Sequence, residues 1–288
     1  MTNRLSPKQR VVMARMIKRK IPCTITIIVI CVIVHLLILL LPLNISSTDK
    51  SILFGAYYKA FVSAGEWWRI LTCGFVHVSS VHCLMNMFSL HVMGRAMEPN
   101  FGPSRFLGIL FGSIIGGSLF LFCTAGNTVG VGLSGGLYGL LAAYLLMVFE
   151  TGAMRIPQVR NGVIQTLGIN LIINFIPGVA WRAHLGGAIS GLLIFMAIRK
   201  KSPYPGMRRN AIISLVLLVL LSGFAGAKRR FIPEAQRYLL TDYSVLQAEK
   251  NLGLDGYAAN MAKRLDRLYD INYLYPMIMK EDPYAQTQ

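Results

Sequence analysis

Gly132-Leu133-Ser134-Gly135-Gly136-Leu137-Tyr138-Gly139 sets one serine among four glycines, at the start of an apolar run that continues to Phe149. A hydroxyl in such surroundings is tolerated when it is hydrogen-bonded, and glycine lets a second backbone come close to it. Gly135 and Gly139 are four apart, which is the spacing of a small-residue contact between helices. Taken alone, the stretch is more often packing than chemistry, and the rest of the chain has to decide.

Of the 288 residues, 54% are hydrophobic and 14% charged, and the mean hydropathy is +0.53. Soluble domains carry about a quarter charged residues, so the composition is that of an integral membrane protein. Runs of roughly 17 to 25 apolar residues can cross a bilayer as helices. Seven stretches qualify: Cys23–Leu41, Val81–Met97, Phe106–Phe122, Ser134–Phe149, Gly162–Gly178, His184–Ile198 and Ala211–Ala227. The predicted fold is therefore all-α and polytopic.

The net charge of +17 suggests nucleic acid until its placement is considered. Residues 1–228 hold 21 Lys/Arg against 4 Asp/Glu, while residues 229–288 hold eight of each sign. The excess lies among the spans, where basic residues mark cytoplasmic loops. A seven-span count puts 16 of those 21 on one side, seven of them before residue 21, which predicts a cytoplasmic amino terminus in the cell membrane. Lys228-Arg229-Arg230 disagrees, because it would follow the seventh span on the outer side. Cys23, Cys31, Cys73, Cys83 and Cys123 show neither disulfide nor metal spacing. The first apolar run has no small-residue cleavage site and does not read as a removable signal.

The expected organisation is a basic cytoplasmic segment over 1–20, lying on anionic lipid, a six-helix core over 21–200, a linker and seventh helix over 201–228, and a polar extension over 229–288. Pro22 suits a first helical turn, and His35 reads as a packed or interhelical hydrogen-bonding histidine rather than a ligand. Between Asn44 and Ser80 no run can span. Tyr57, Tyr58, Trp67 and Trp68 there suit a loop lying in the membrane interface. In the extension, Tyr257, Met261, Leu265 and Leu268 form a helical stripe, so it is expected to be helical and docked on a partner that the residues do not identify.

Ser79-Ser80 are good capping residues for the second span, which carries His82 and Asn86 four apart on one face. The fourth span carries Ser134 in its first turn. The fifth has Gln165, Asn170 and Asn174, which can bond across helices and receive no chemistry. The sixth has His184 in its first turn, and Gly187 with Gly191 forms a second small-residue face able to press against Gly135 and Gly139. Spans two, four and six all enter from the outer side. His82, Asn86, Ser134 and His184 thus share one layer just beneath the outer surface.

A serine hydroxyl needs a base to take its proton, and neutral histidine is suited to that near pH 7. Between Arg69 and Pro233 the acids are Glu98 and Glu150, both at cytoplasmic ends, so the unit expected is a Ser134/His184 dyad. The negative charge of a tetrahedral intermediate needs donors already in place. The Ser134 backbone N–H, the Asn86 amide and the His82 ring can provide them.

At these positions the sequence resembles the rhomboid family of intramembrane serine proteases. The resemblance rests on Gly132-Leu133-Ser134-Gly135 with Tyr138 four beyond the serine, and on Ala183-His184 followed by Gly187 and Gly191. It rests further on His82 and Asn86 in an HxxxN pattern, His77 upstream, and Trp68-Arg69 in the first loop. It covers Cys23 to Ile198, about two thirds of the chain. It implies a six-helix catalytic bundle with an added seventh helix, and cleavage of single-pass transmembrane substrates near their outer ends without any cofactor or metal. It implies that Tyr138 packs on the His184 ring, that Trp68 and Arg69 are structural, and that His77 supports the site. The Gly178–Ala183 link is short for the family's loop over the site.

Two other readings are weaker. A client-binding pseudoprotease would lack the serine or the histidine, and a transporter would want ionisable residues deep in its spans and two similar halves.

Overall fold

The computed structural model describes residues 20–126, 128–199, 205–227 and 238–279. The expected lipid-surface segment, apart from Lys20, and Lys228-Arg229-Arg230 lie outside the described residues.

Helices stand at all seven expected positions. Pro22 opens α1 (Pro22–Leu40), and Pro42 disfavours its continuation. The segment that follows is folded rather than a slack loop. It contains α2 (Ser47–Leu53), β1 (Tyr57–Tyr58), α3 (Lys59–Ser63), α4 (Arg69–Thr72) and a 3-10 turn over Cys73–Phe75. Next come α5 (Ser80–Phe101), α6 (Pro103–Thr124), β2 (Val129–Gly130), α7 (Ser134–Glu150), α8 (Pro157–Ile173), α9 (Trp181–Ile198) and α10 (Met207–Ala227). Three helices of the extension, α11 (Leu239–Asn251), α12 (Asp255–Tyr269) and α13 (Leu274–Met279), complete the described chain.

By length and apolarity, α1, α6, α9 and residues 207–225 of α10 can each cross a membrane alone. Helix α5 qualifies together with Arg69–Phe75, across a bend of 92°, and α7 is apolar but short. Leu84 and Phe88 on α5, Leu171 and Ile172 on α8, and Leu220 and Leu221 on α10 are all more than 60% exposed. Side chains this apolar around the whole bundle are compatible with lipid and not with water. The protein is all-α and passes the membrane several times.

Helix α9 is wedged between α6 and α7. A Cβ on Gly187 would lie 2.1 Å from the Gly135 carbonyl oxygen, and one on Gly191 would lie 2.3 Å from Gly139 Cα. The backbones of α7 and α9 therefore touch, as the two glycine spacings predict. At the far ends of these helices Arg199 grips Glu150 with two bonds, of 2.6 and 2.7 Å. Glu98, also at that end, accepts from the Cys23 and Thr24 amides at 2.9 Å each and so caps α1. His35 bonds the His77 carbonyl at 3.0 Å and Ser80 Oγ at 3.1 Å, tying α1 to the start of α5.

A second apolar cluster lies outside the bundle, where α11 to α13 pack on the segment between α1 and α5. Met261 and Leu265 from the α12 stripe are buried in it. Tyr58 Oη donates to Asp242 Oδ1 at 2.7 Å and Tyr269 Oη to Asp242 Oδ2 at 2.8 Å. Tyr257 bonds Glu66, and Ser244 Oγ donates to Asp49 Oδ2 at 2.9 Å. The extension's partner is the chain's own first loop.

This docking corrects one expectation. Tyr57 and Tyr58 are fully buried and not interfacial anchors, while Trp67 and Trp68 stay half-exposed. The physical reason is pairing: Tyr57 stands opposite Gly130 and Tyr58 opposite Val129 in an antiparallel two-residue ribbon, and the extension covers Tyr58 from the other side.

Candidate active site

The ribbon delivers the chain to the serine. After β2, Gly132 turns with φ +100°, a conformation that disfavours any side chain, and its amide donates to the Cys73 carbonyl at 2.9 Å. A Cβ there would also lie 2.6 Å from Cε1 of the His82 ring. Gly132 thus serves both the turn and the close approach of His82, and Ser134 follows at the first position of α7. The first amides of a helix have no intrahelical acceptor, so donors point out at this spot.

Ser134 is half-buried and His184 buried. His184 Nε2 lies 2.8 Å from Ser134 Oγ, and His184 Nδ1 lies 2.6 Å from Asn174 Oδ1. Tyr138 stacks on the imidazole with ring centroids 4.2 Å apart and planes 8° apart. Asn174, just past the end of α8, donates its amide to Tyr138 Oη at 2.7 Å and to the Asn170 carbonyl at 2.8 Å. Tyr138 Oη in turn donates to the same carbonyl at 3.0 Å.

These contacts settle the protons. A backbone carbonyl only accepts, so the Asn174 atom facing Asn170 is the NH2 group and the other is the carbonyl oxygen. That oxygen needs a donor, so His184 carries its proton on Nδ1. The Nε2 lone pair is then free to accept from the Ser134 hydroxyl.

From α5, the His82 ring covers Gly132 and meets the His77 ring at 5.2 Å. Ser79 caps the helix by accepting from the His82 amide at 3.3 Å. Asn86 is buried one turn further on and spends one amide hydrogen on the His82 carbonyl at 2.9 Å, leaving a second. His77 is fully buried, and neither of its ring nitrogens has a hydrogen-bond partner among the described residues.

Trp68 and Arg69 stand apart from these groups. The buried Arg69 guanidinium pairs with Glu66, bonds the Ile52 and Ala56 carbonyls, and lies 4.5 Å from the Trp68 ring centre. It ties the first loop together. Sequence reading assigned Asn174 a bond across helices but no place at the site. The available signal was its i,i+4 spacing from Asn170, the same stripe logic that marks His82 and Asn86.

Chemically, the arrangement is a hydroxyl at a helix start with an adjacent imidazole, whose other nitrogen faces an amide oxygen. The Rhomboid domain family model matches residues 64–201. The Rhomboid protease GluP of Bacillus subtilis is 32% identical over 190 residues, which are 65% of this chain and 37% of that protein. The Rhomboid protease AarA of Providencia stuartii is 30% identical over 199 residues, 60% of this chain and 70% of that protein. The Putative rhomboid protease YdcA of Bacillus subtilis is 33% identical over 147 residues, 50% of this chain and 74% of that protein. The chain thus spans little more than a third of GluP and over two thirds of the other two.

Proposed function

The chain belongs to the rhomboid family, and on that premise we propose that it is an intramembrane serine endopeptidase cleaving single-pass transmembrane proteins near the outer membrane boundary. The observation that carries the reading is the 2.8 Å contact of Ser134 Oγ with His184 Nε2, while Nδ1 faces the Asn174 amide oxygen.

Ser134 Oγ attacks the scissile carbonyl carbon while its proton passes to His184 Nε2. The oxyanion is met by the Ser134 backbone N–H, the spare Asn86 amide hydrogen and the His82 ring. His184 returns the proton to the leaving amine, and the acyl ester remains on Ser134. Water, deprotonated by the same nitrogen, releases it. Ser134 sits at a helix start and is half-buried, which favours access for that water.

The basic residues before Pro22 favour an amino terminus in the cytoplasm, and the contact between first loop and extension is compatible with that topology. Segments that touch outside the bilayer must lie on one side, which requires an even number of crossings between residues 58 and 242. Crossing by each of α5 to α10 meets that requirement. With the basic amino terminus inside, the loop, the extension and the starts of α5, α7 and α9 all face outward.

The test is cleavage of a single-pass substrate by the purified protein in detergent, with a fluorophosphonate probe reporting on the serine. Wild type cuts and is labelled. Ser134→Ala and His184→Ala stay folded and do neither. Undiminished cutting by Ser134→Ala overturns the mechanism.

A further inference from the structure

Asn174 takes no part in the dyad or the oxyanion donors, yet its side chain is bonded at every position that can reach the site. Its carbonyl oxygen faces His184 Nδ1 at 2.6 Å, and its NH2 is held by Tyr138 Oη and the Asn170 carbonyl. We infer that Asn174 is a positioning residue, holding His184 in the tautomer whose Nε2 can take the Ser134 proton and linking that state to where α8 lies. The inference rests on the proposed protease reading and adds a third member, an uncharged one, to its dyad.

Imidazole has two neutral tautomers, and the one with the proton on Nε2 cannot act as base toward Ser134. An amide oxygen fixed beside Nδ1 selects the productive form, the role an Asn or Asp orienter has in other histidine-based hydrolases. A carboxylate would do the same with a full charge. In a lipid-embedded bundle, an unpaired carboxylate costs far more than an amide. The acids between Arg69 and Pro233, Glu98 and Glu150, are engaged at the opposite end.

The second half of the inference comes from packing. Within α8, Val163 is the one buried residue among those described, while Ile164, Leu171 and Ile172 on it are exposed. So α8 has little apolar contact to hold it in place. Near the site its polar ties are the Asn170 carbonyl and the Asn174 side chain, bonded to Tyr138 and His184. Any displacement of α8 from α7 therefore pulls at the group that orients the base.

Asn174→Leu keeps the volume and removes the acceptor, and Asn174→Asp keeps the acceptor and adds a charge. For Asn174→Leu we expect kcat on a single-pass substrate, and the rate of fluorophosphonate labelling, to fall at least about tenfold with KM within about twofold. For Asn174→Asp we expect cutting to be retained, with the acid limb of the kcat/KM profile moved up by about one pH unit or more, because a carboxylate beside Nδ1 favours imidazolium. The other titratable groups around the ring, Tyr138 on its face and His82 on α5, are unchanged in both variants.

A residue that merely pins α8 through its NH2 group would lose that hold in both variants, and cutting would fall in both. The inference is overturned if Asn174→Leu cuts within about twofold of wild type, or if the Asn174→Asp profile superimposes on the wild-type one. Should the leucine variant not fold, the aspartate profile alone decides. Retained cutting in Ser134→Ala would sink the protease reading itself. Normal dependence on Ser134 with an unaffected Asn174→Leu would sink this inference alone.

Discussion

Two buried polar clusters at the same end of the molecule are built on opposite principles. Between the spans, Ser134, His184, Asn174 and Tyr138 are joined by neutral hydrogen bonds. Where the extension meets the first loop, Asp242 accepts from two tyrosines, and Glu66 is shared by Arg69 and Tyr257. In both, these named groups are hydrogen-bonded, as most buried polar groups are. The first carries no charge among the spans, and it leaves the Ser134 hydroxyl half-buried. The second uses buried carboxylates as acceptors, with the Arg69 guanidinium paired to one of them. Reactivity and docking strength are thereby separated, although the β1/β2 ribbon joins the two regions physically.

The largest effect is expected where neither cluster survives. Gly187→Val or Gly191→Leu puts carbon where the α7 backbone stands, closer than 2.5 Å. Loss of folded protein in detergent, read by size exclusion and thermal unfolding, is the expected outcome. Ser134→Ala comes next, lowering cleavage at least about a thousandfold while hydrogen exchange in residues 239–279 stays at wild-type rates. A loosened extension in that variant would show the two regions to be one unit.

Gly132→Ala sits between them. It strains a positive-φ turn by about 1 to 3 kcal/mol and pushes on the His82 ring. Cleavage should fall by tens-fold, more than stability does, because the strained turn directly precedes Ser134. Asp242→Ala leaves the Tyr58 and Tyr269 hydroxyls without their acceptor, at on the order of 2 kcal/mol each where buried. Faster exchange over 239–279 with the serine still labelled by fluorophosphonate is the expected pattern.

The smallest effect is a pH dependence confined to the docking side. Burial pushes the Asp242 carboxyl up to about 7 against the pull of the Tyr58 and Tyr269 hydroxyls. Burial, and then the nearby Glu66, push Glu249 up to about 7, with Arg69 opposing. Both values are raised on folding, so the native state holds protons that the undocked chain releases. Docking is therefore firmest below the ordinary carboxylate range near pH 4 and weakens as pH rises through about 7. Exchange over 239–279, corrected for intrinsic rates, should be slower at pH 5.5 than at pH 8.5. Asp242→Asn with Glu249→Gln should flatten the difference.

Much of this was legible from the chain alone, for a reason the particular residues make plain. The spans follow from apolar length. Ser134 and His184 follow from polar residues placed in first helical turns, and the α7/α9 contact from Gly135, Gly139, Gly187 and Gly191 at spacings of four. Each of these is a property of one helix read along its own axis. Tyr57 and Tyr58 look like interfacial anchors by the same local reading, and they are not: Tyr58 meets Val129 and Asp242, 71 and 184 residues away, and Tyr57 is buried in the core of the bundle.

By itself, then, the sequence determined that this is a helical membrane protein with a serine and a histidine at one depth and tightly packed glycine faces behind them. Only the tertiary structure decided that Asn174 meets His184 Nδ1, that Nε2 faces Ser134, and that the extension packs on the first loop. Periodicity assigns a side chain to a face of its own helix. Which neighbour that face meets is set by the rotation and packing of several helices at once, and that information is not contained in any single stretch.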